Sequence, residues 1–188
     1  MIADAALEVF AARGSHAASM DEIAERAGIS KPIVYDHFAS KRELLLELIE
    51  THHREFLQRM ISAVAEHADQ AATVRVRMGI DAVFRAIEEK PLAWQLLCLD
   101  PAADPVVAEL QRGSYAEVTT AIAALLDQEL PAPPGEDRNL SLEIYAEALK
   151  SAVDGLAVWW ITHPKVPRHE LVDRMVDLIW SGLAAFSR

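Results

Sequence analysis

Between Ser19 and Lys41 the chain gathers side chains suited to one chemistry, contact with a polyanion and with base edges. Lys31 and Lys41 carry fixed positive charge, and Ser19, Ser30, Tyr35, His37 and Ser40 offer hydroxyl or imidazole donors of the kind that meet phosphate oxygens. Lys31 can reach a guanine O6/N7 edge or a phosphate, while Pro32 and Ile33 can meet a thymine methyl. Such residues read DNA only if a short helix carries them into the groove. The window Met20 to Phe38 has the spacing for that: small Ala24 where two helices would cross, Gly28 in the turn, and apolar Val34 to lock the second helix onto the first. Any short helical pair contains some Ala and Gly, so this spacing alone leaves an ordinary helical hairpin open.

The flanking punctuation supplies the scaffold. Ile2, Ala5, Ala6, Val9 and Phe10 form an apolar stripe stopped by Gly14. Ser19-Met20-Asp21-Glu22 reads as a capping box starting a helix with Ile23, Ala24 and Ala27, ended by Gly28. Ser30 is expected to cap a third helix, about Lys31 to Phe38, with Pro32 tolerated in its first turn. Ser40-Lys41-Arg42-Glu43 is a second capping box and opens a long helix over about 41–67. Five more helices are expected near 71–89, 91–99, 104–129, 138–163 and 168–186, separated at Lys90-Pro91, Asp100-Pro101, Asp104-Pro105, the loop Pro131 to Gly135, and His163-Pro164 with Pro167. No sustained strand alternation exists, so the fold class is all-α, with about nine helices.

Composition sets the outer bounds. The 188 residues are 52% hydrophobic and 25% charged, enough for a real core, and no run of about 18 apolar residues is present to span a membrane. Asp4 and Glu8 within an amphipathic start exclude a secretory signal, and the cytoplasm is the expected compartment. A single cysteine, Cys98, rules out an internal disulfide, and its apolar surroundings predict a buried, inert thiol. The net charge of −11 is unusual for a nucleic-acid binder, yet residues 26–42 hold Arg26, Lys31, Lys41 and Arg42 against Asp36 alone, a local net of +3. An enzyme is disfavoured. His52 and His53 diverge on a helix; with Glu55 and His67 they make no H-E-x-x-H pattern, and no G-x-S-x-G, phosphate-binding loop or G-x-G-x-x-G occurs. Neither a metal nor a cofactor is expected.

The stretch Ile2 to Leu45 resembles the DNA-binding head of the TetR family of bacterial repressors. The likeness rests on Ala5-Ala6-Leu7, Phe10 and Gly14, on Ser19-Met20-Asp21-Glu22-Ile23-Ala24, on Ala27-Gly28-Ile29-Ser30-Lys31, and on Val34-Tyr35-Asp36-His37-Phe38 with Ser40-Lys41 and Leu44. Over the remaining residues it is one of length and helix count only. It implies a helix-turn-helix head over 1–46 and a ligand-binding and dimerisation domain over 47–188. It further implies a ligand-responsive regulator, a repressor, that binds a pseudo-palindromic operator as a homodimer, with a small, largely apolar effector. Family members usually carry a short basic arm before the first helix. Here that helix starts at about Ile2, so either the native protein is longer or phosphate contacts are fewer.

In the family the last two long helices pair across a twofold. The matching apolar stripes are Ala146, Leu149, Val153 and Ala157 on one helix and Leu171, Met175, Leu178, Ile179 and Leu183 on the other, although either could equally be intramolecular core. Phe56, Met60, Phe84, Trp94, Cys98, Tyr115, Thr119, Ile122, Tyr145 and Trp159 are the candidates for a ligand wall, with ordinary core as the alternative for each. Trp159 and Trp160 point about 100° apart on a helix, so only one can face any given partner.

Overall fold

A computed structural model describes residues 1–98, 105–129 and 137–183, with side chains as far as Ser181 except Glu129. Among these residues lie nine helices and no strand: α1 (Ile2–Ala17), α2 (Met20–Ala27), α3 (Lys31–His37), α4 (Lys41–Ala65), α5 (Ala72–Glu89), α6 (Pro91–Leu97), α7 (Pro105–Glu129), α8 (Arg138–Ile161) and α9 (Arg168–Leu183). The all-α expectation holds, and no described helix is long and apolar enough to cross a membrane.

The chain divides into two compact units. The first is Met1–Glu55 with Lys90–Ser114; the second is Phe56–Glu89 with the chain from Tyr115 onward. The first therefore reaches past the expected boundary at residue 46. The reason is packing: Leu48 and Ile49 of α4, Leu96 of α6 and Val107 of α7 are buried in one cluster with Phe10, Ile23 and Val34. Gln111 Nε2 ties α7 to the Leu97 carbonyl at 3.2 Å, and Lys90 Nζ reaches Glu55 Oε2 at 2.7 Å. In the second unit α5 packs on α9, with Arg77 paired to Asp173 and Arg168 to Asp81 and Glu88. Phe84 and Trp160 meet edge to face at 5.7 Å, and Trp160 Nε1 donates to the Val166 carbonyl at 2.8 Å.

Local chemistry explains the head's boundaries. The Ser19 hydroxyl accepts from the Glu22 N–H, and the Glu22 carboxylate accepts from the Ser19 N–H at 3.0 Å, the expected capping box. Gly28 closes α2 at φ 68°, and Ile29 N–H returns to the Ala24 carbonyl at 3.1 Å, which satisfies the carbonyls the helix end would orphan. Ser40 Oγ accepts from Glu43 N–H at 3.1 Å, but the Glu43 carboxylate reaches Ala39 N–H instead of Ser40's own. One expectation is met and one is corrected. Gly14, at φ 76°, stops the first helical segment as expected, and a short second segment follows it within α1, where Ala18 N–H bonds the Gly14 carbonyl. Ser30 stands at the start of α3 but makes no side-chain cap: Pro32 has no N–H to give it, and the Ile33 N–H goes to the Ser30 carbonyl.

Space around a Cβ at position 28 is open, so the cost of a side chain there is conformational alone. Gly28→Ala is expected to destabilise the fold by about 1–2 kcal/mol in a urea titration, the usual penalty for a left-handed L-residue. An unchanged midpoint would mean that the turn relaxes to another geometry.

Candidate nucleic-acid interface

One side of α3 is fixed by burial and the other is left in solvent. Val34 is fully buried in the same cluster as Ile23 and Ala24, and Phe38, one turn later, packs half-buried against it. The opposite side presents Lys31, Pro32, Ile33, Tyr35 and His37, all exposed, with Ile33 at 44% and Tyr35 at 50% of their full accessibility. Leaving Ile33 and Tyr35 about half exposed on a seven-residue helix forgoes part of the burial free energy, about 1.5–3 kcal/mol for a fully buried isoleucine, which a contact surface recovers. Six of the seven residues of α3 are exposed, and an element this narrow fits the width of a major groove.

The cations nearby are already engaged. Lys31 pairs with Asp21 and Arg26 with Glu8, while Arg13 lies 3.2 Å from Glu22. Lys41 Nζ donates to the carbonyls of His16 and Ala18, each at 2.7 Å, and so joins the end of α1 to the start of α4. An ammonium has three protons, so one remains to turn toward solvent or phosphate. The Ser19 hydroxyl donates to the Glu22 carboxylate at 2.9 Å, and its proton is thus committed within the cap; Ser30 and Ser40 are exposed.

The candidate ligand-wall residues are only partly gathered. Met60, Ile122 and Tyr145 share one cluster with Leu126, Leu142 and Ala146, and Phe56 and Phe84 are buried in the same unit. Trp94 is buried in the other unit. Cys98 is exposed, contrary to expectation, because it sits just past the end of α6 where the helix stops covering it. Trp159 is also turned outward and stacks on His163 at 4.0 Å; its neighbour Trp160 takes the core position. The Thr119 hydroxyl bonds the carbonyls of Tyr115 and Ala116, so it is spent on its own helix. Tyr115 OH donates to Glu147 at 2.7 Å, and burial raises the affinity of the phenol for its proton, with the Glu147 carboxylate adding to the effect. Lys150 lies over the Tyr115 ring at 4.2 Å and pairs with Asp154, whose carboxyl is pushed up by burial against the pull of that ammonium. Among the described residues no three His, Cys, Asp or Glu side chains are grouped to hold a metal. His52 Nδ1 is 3.1 Å from Glu55, and the Lys90 ammonium keeps that carboxyl below the usual range.

Burial divides the apolar stripe expected to meet a second copy. Ala146 and Ala157 of α8 and Leu171 and Met175 of α9 are buried within the protomer, Leu149, Val153 and Ile179 are half-buried, and the Leu183 side chain lies outside the described residues. Roughly opposite that stripe on α8, Leu140, Ile144, Ala148, Gly155 and Val158 follow one another at helical steps and are all exposed. Leu178 of α9 is exposed at 73%.

Residues 2–48 match the profile of bacterial regulatory proteins of the tetR family, and residues 72–184 match that of the BetI-type transcriptional repressor C-terminal domain. The chain belongs to the TetR family. One relative, the HTH-type transcriptional activator FasR of Mycolicibacterium smegmatis, is 31% identical over 181 residues, 96% of this chain and 80% of FasR. A TetR-like transcriptional regulator from Rhodococcus sp. RHA1 has the same fold, with a TM-score of 0.76 at 26% identity, covering 97% of this chain and 93% of that one. FadR from Bacillus subtilis, solved in complex with stearoyl-CoA, superposes with a TM-score of 0.71 at 20% identity over 96% of this chain and 97% of its own. This chain is thus a helix-turn-helix transcriptional regulator of the TetR type, and the helix-turn-helix is α2–α3.

Sequence reasoning missed two features of this TetR head and body: the acidic partners of the head's cations, and the exposed side of α8. The signal for the second was present in Leu140, Ile144 and Val158, but both sides of α8 are apolar. Lys41→Met tests the clamp in the head. Losing two charge-assisted bonds to carbonyls is expected to lower unfolding free energy by about 1–3 kcal/mol by urea titration. Wild-type stability would show that the ammonium does not hold α1 to α4.

Proposed function

We propose that this regulator is a homodimeric repressor that reads a pseudo-palindromic operator and changes its DNA affinity on binding a small, largely apolar effector. Residues 1–46 read DNA, and 47–188 pair the subunits and hold the effector. The observation that carries the reading is the outward side of α3, where Lys31, Pro32, Ile33, Tyr35 and His37 stand exposed beside buried Val34. Pro32 and Ile33 meet base edges and Lys31 a base edge or a phosphate, while Tyr35, His37, Ser40, Lys41 and the helix start at Ser19 position the backbone. One such helix reads too few bases to be specific, and a twofold pair reads two half-sites. The exposed apolar side of α8, with Leu178 of α9, is the surface that a second copy covers, as an isologous interface requires.

The effector is held among the helices beyond Glu55, where Met60, Ile122 and Tyr145 share an apolar cluster. The FadR neighbour holds stearoyl-CoA in this fold, so acyl compounds are the first class to screen. A ligand shifts DNA affinity only by its differential affinity for two states of the protein. Repression is supported by the BetI-type match of the C-terminal half; FasR, named an activator, defines the opposite sign, which a promoter-reporter assay decides.

Selection of bound sequences from random DNA is expected to return a pseudo-palindrome with half-site centres about one or two helical turns apart. Ile33→Ala should change the recovered bases, and Tyr35→Phe should weaken all sequences alike. No enriched motif from a verified dimer at low salt would sink this function. For assembly, Val158→Arg buries an unpaired charge in the proposed interface, at several kcal/mol. Sedimentation should then show monomer with helical content retained, and a persistent dimer at micromolar concentration would place the interface elsewhere.

A further inference from the structure

The first 45 residues hold five lysines and arginines: Arg13, Arg26, Lys31, Lys41 and Arg42. Lys31 alone among them lies on α3, the helix proposed above to enter the groove, and its ammonium is paired with the Asp21 carboxylate. The pair joins residues ten apart in sequence, one in the first turn of α2 and the other at the first position of α3, so the helix-turn-helix itself brings them together. Both side chains are more than half exposed, at 60% and 54%. An exposed pair of this kind adds little to folding, so stability does not account for it.

We infer that Asp21 is an internal counterion for Lys31, taking in the unbound head the place a DNA phosphate takes in the complex. The inference rests on the DNA-reading role of α3. A carboxylate offers an ammonium the same anionic oxygens as a phosphate, so Lys31 must release Asp21 to grip the backbone. While Lys31 keeps Asp21, the phosphate it would grip keeps its condensed cation. The counterion entropy of that contact, which ordinarily drives attachment to any duplex whatever its sequence, is then forgone. Asp21 thus suppresses sequence-independent binding and flattens its dependence on salt. In a chain of net charge −11 this acts on a cation of the reading helix itself.

The test measures binding of the purified protein to a random-sequence duplex across a salt series, for wild type, Asp21→Asn, Lys31→Gln and the double variant. Asp21→Ser serves as a second replacement, and melting of each protein without DNA confirms folding. Asp21→Asn is expected to bind about two- to five-fold more tightly per subunit at low salt. Its log–log salt slope should steepen by about 0.9 per subunit, one additional phosphate contact now releasing a salt ion. In the Lys31→Gln background both changes should disappear. Equal gains with and without Lys31 would overturn the inference in favour of general charge repulsion, and so would folded Asn and Ser variants that bind as wild type does. If wild type binds no duplex even at low salt, the DNA-reading function itself fails, and this inference with it.

Discussion

Burial of Val34 among Ile23 and Ala24 is the constraint on which the proposed DNA-facing surface depends. A seven-residue helix is too short to be stable alone, so α3 exists because its inner side is packed. The same packing fixes its rotation, and rotation decides which side chains stand outward. Small Ala24 lets α3 approach α2, and Gly28 makes the turn between them in a left-handed conformation few other residues tolerate. Lys41 then bonds the end of α1 to the start of α4, which closes the head around this pair. Each of these contacts holds the outward row of Lys31, Ile33 and Tyr35 in one arrangement, and a rigid row is what base reading needs.

Charge is handled locally in a chain that is acidic overall. Arg13, Arg26 and Lys31 of the head are matched to Glu22, Glu8 and Asp21, and Lys41 to backbone carbonyls. Net charge governs long-range attraction, whereas contact depends on which partner each ammonium holds. On the function proposed above, such a regulator gives up some general attraction to DNA and relies more on shape and on apolar contact from Ile33 and Pro32.

Much of this was legible in the residues. Ser19 and Ser40 announce their helices because a hydroxyl followed three residues later by glutamate has one obvious use, and Gly28 is legible for its backbone. Ser30 misleads because Pro32 removes the N–H that its hydroxyl would take. Cys98 misleads because an apolar run does not show that the helix ends before it. The α8 surface is the more instructive case. Ala146 and Ala157 make as good an apolar stripe as Ile144 and Val158, and periodicity cannot say which side the protomer covers itself. Only the packing of Leu142, Ala146 and Trp160 inside one subunit decides that. The body's ligand chemistry was least legible, since Tyr115 and Thr119 spend their hydroxyls on Glu147 and on backbone carbonyls.

On the function proposed above, two copies of α3 enter successive major grooves on one side of a duplex. Guanine-N7 methylation interference on the selected operator tests it most directly, because that methyl group lies in the major groove. Two patches of interference are expected, one in each half-site and about one or two helical turns apart. Interference confined to a single patch, or none on a duplex the protein demonstrably binds, would contradict it.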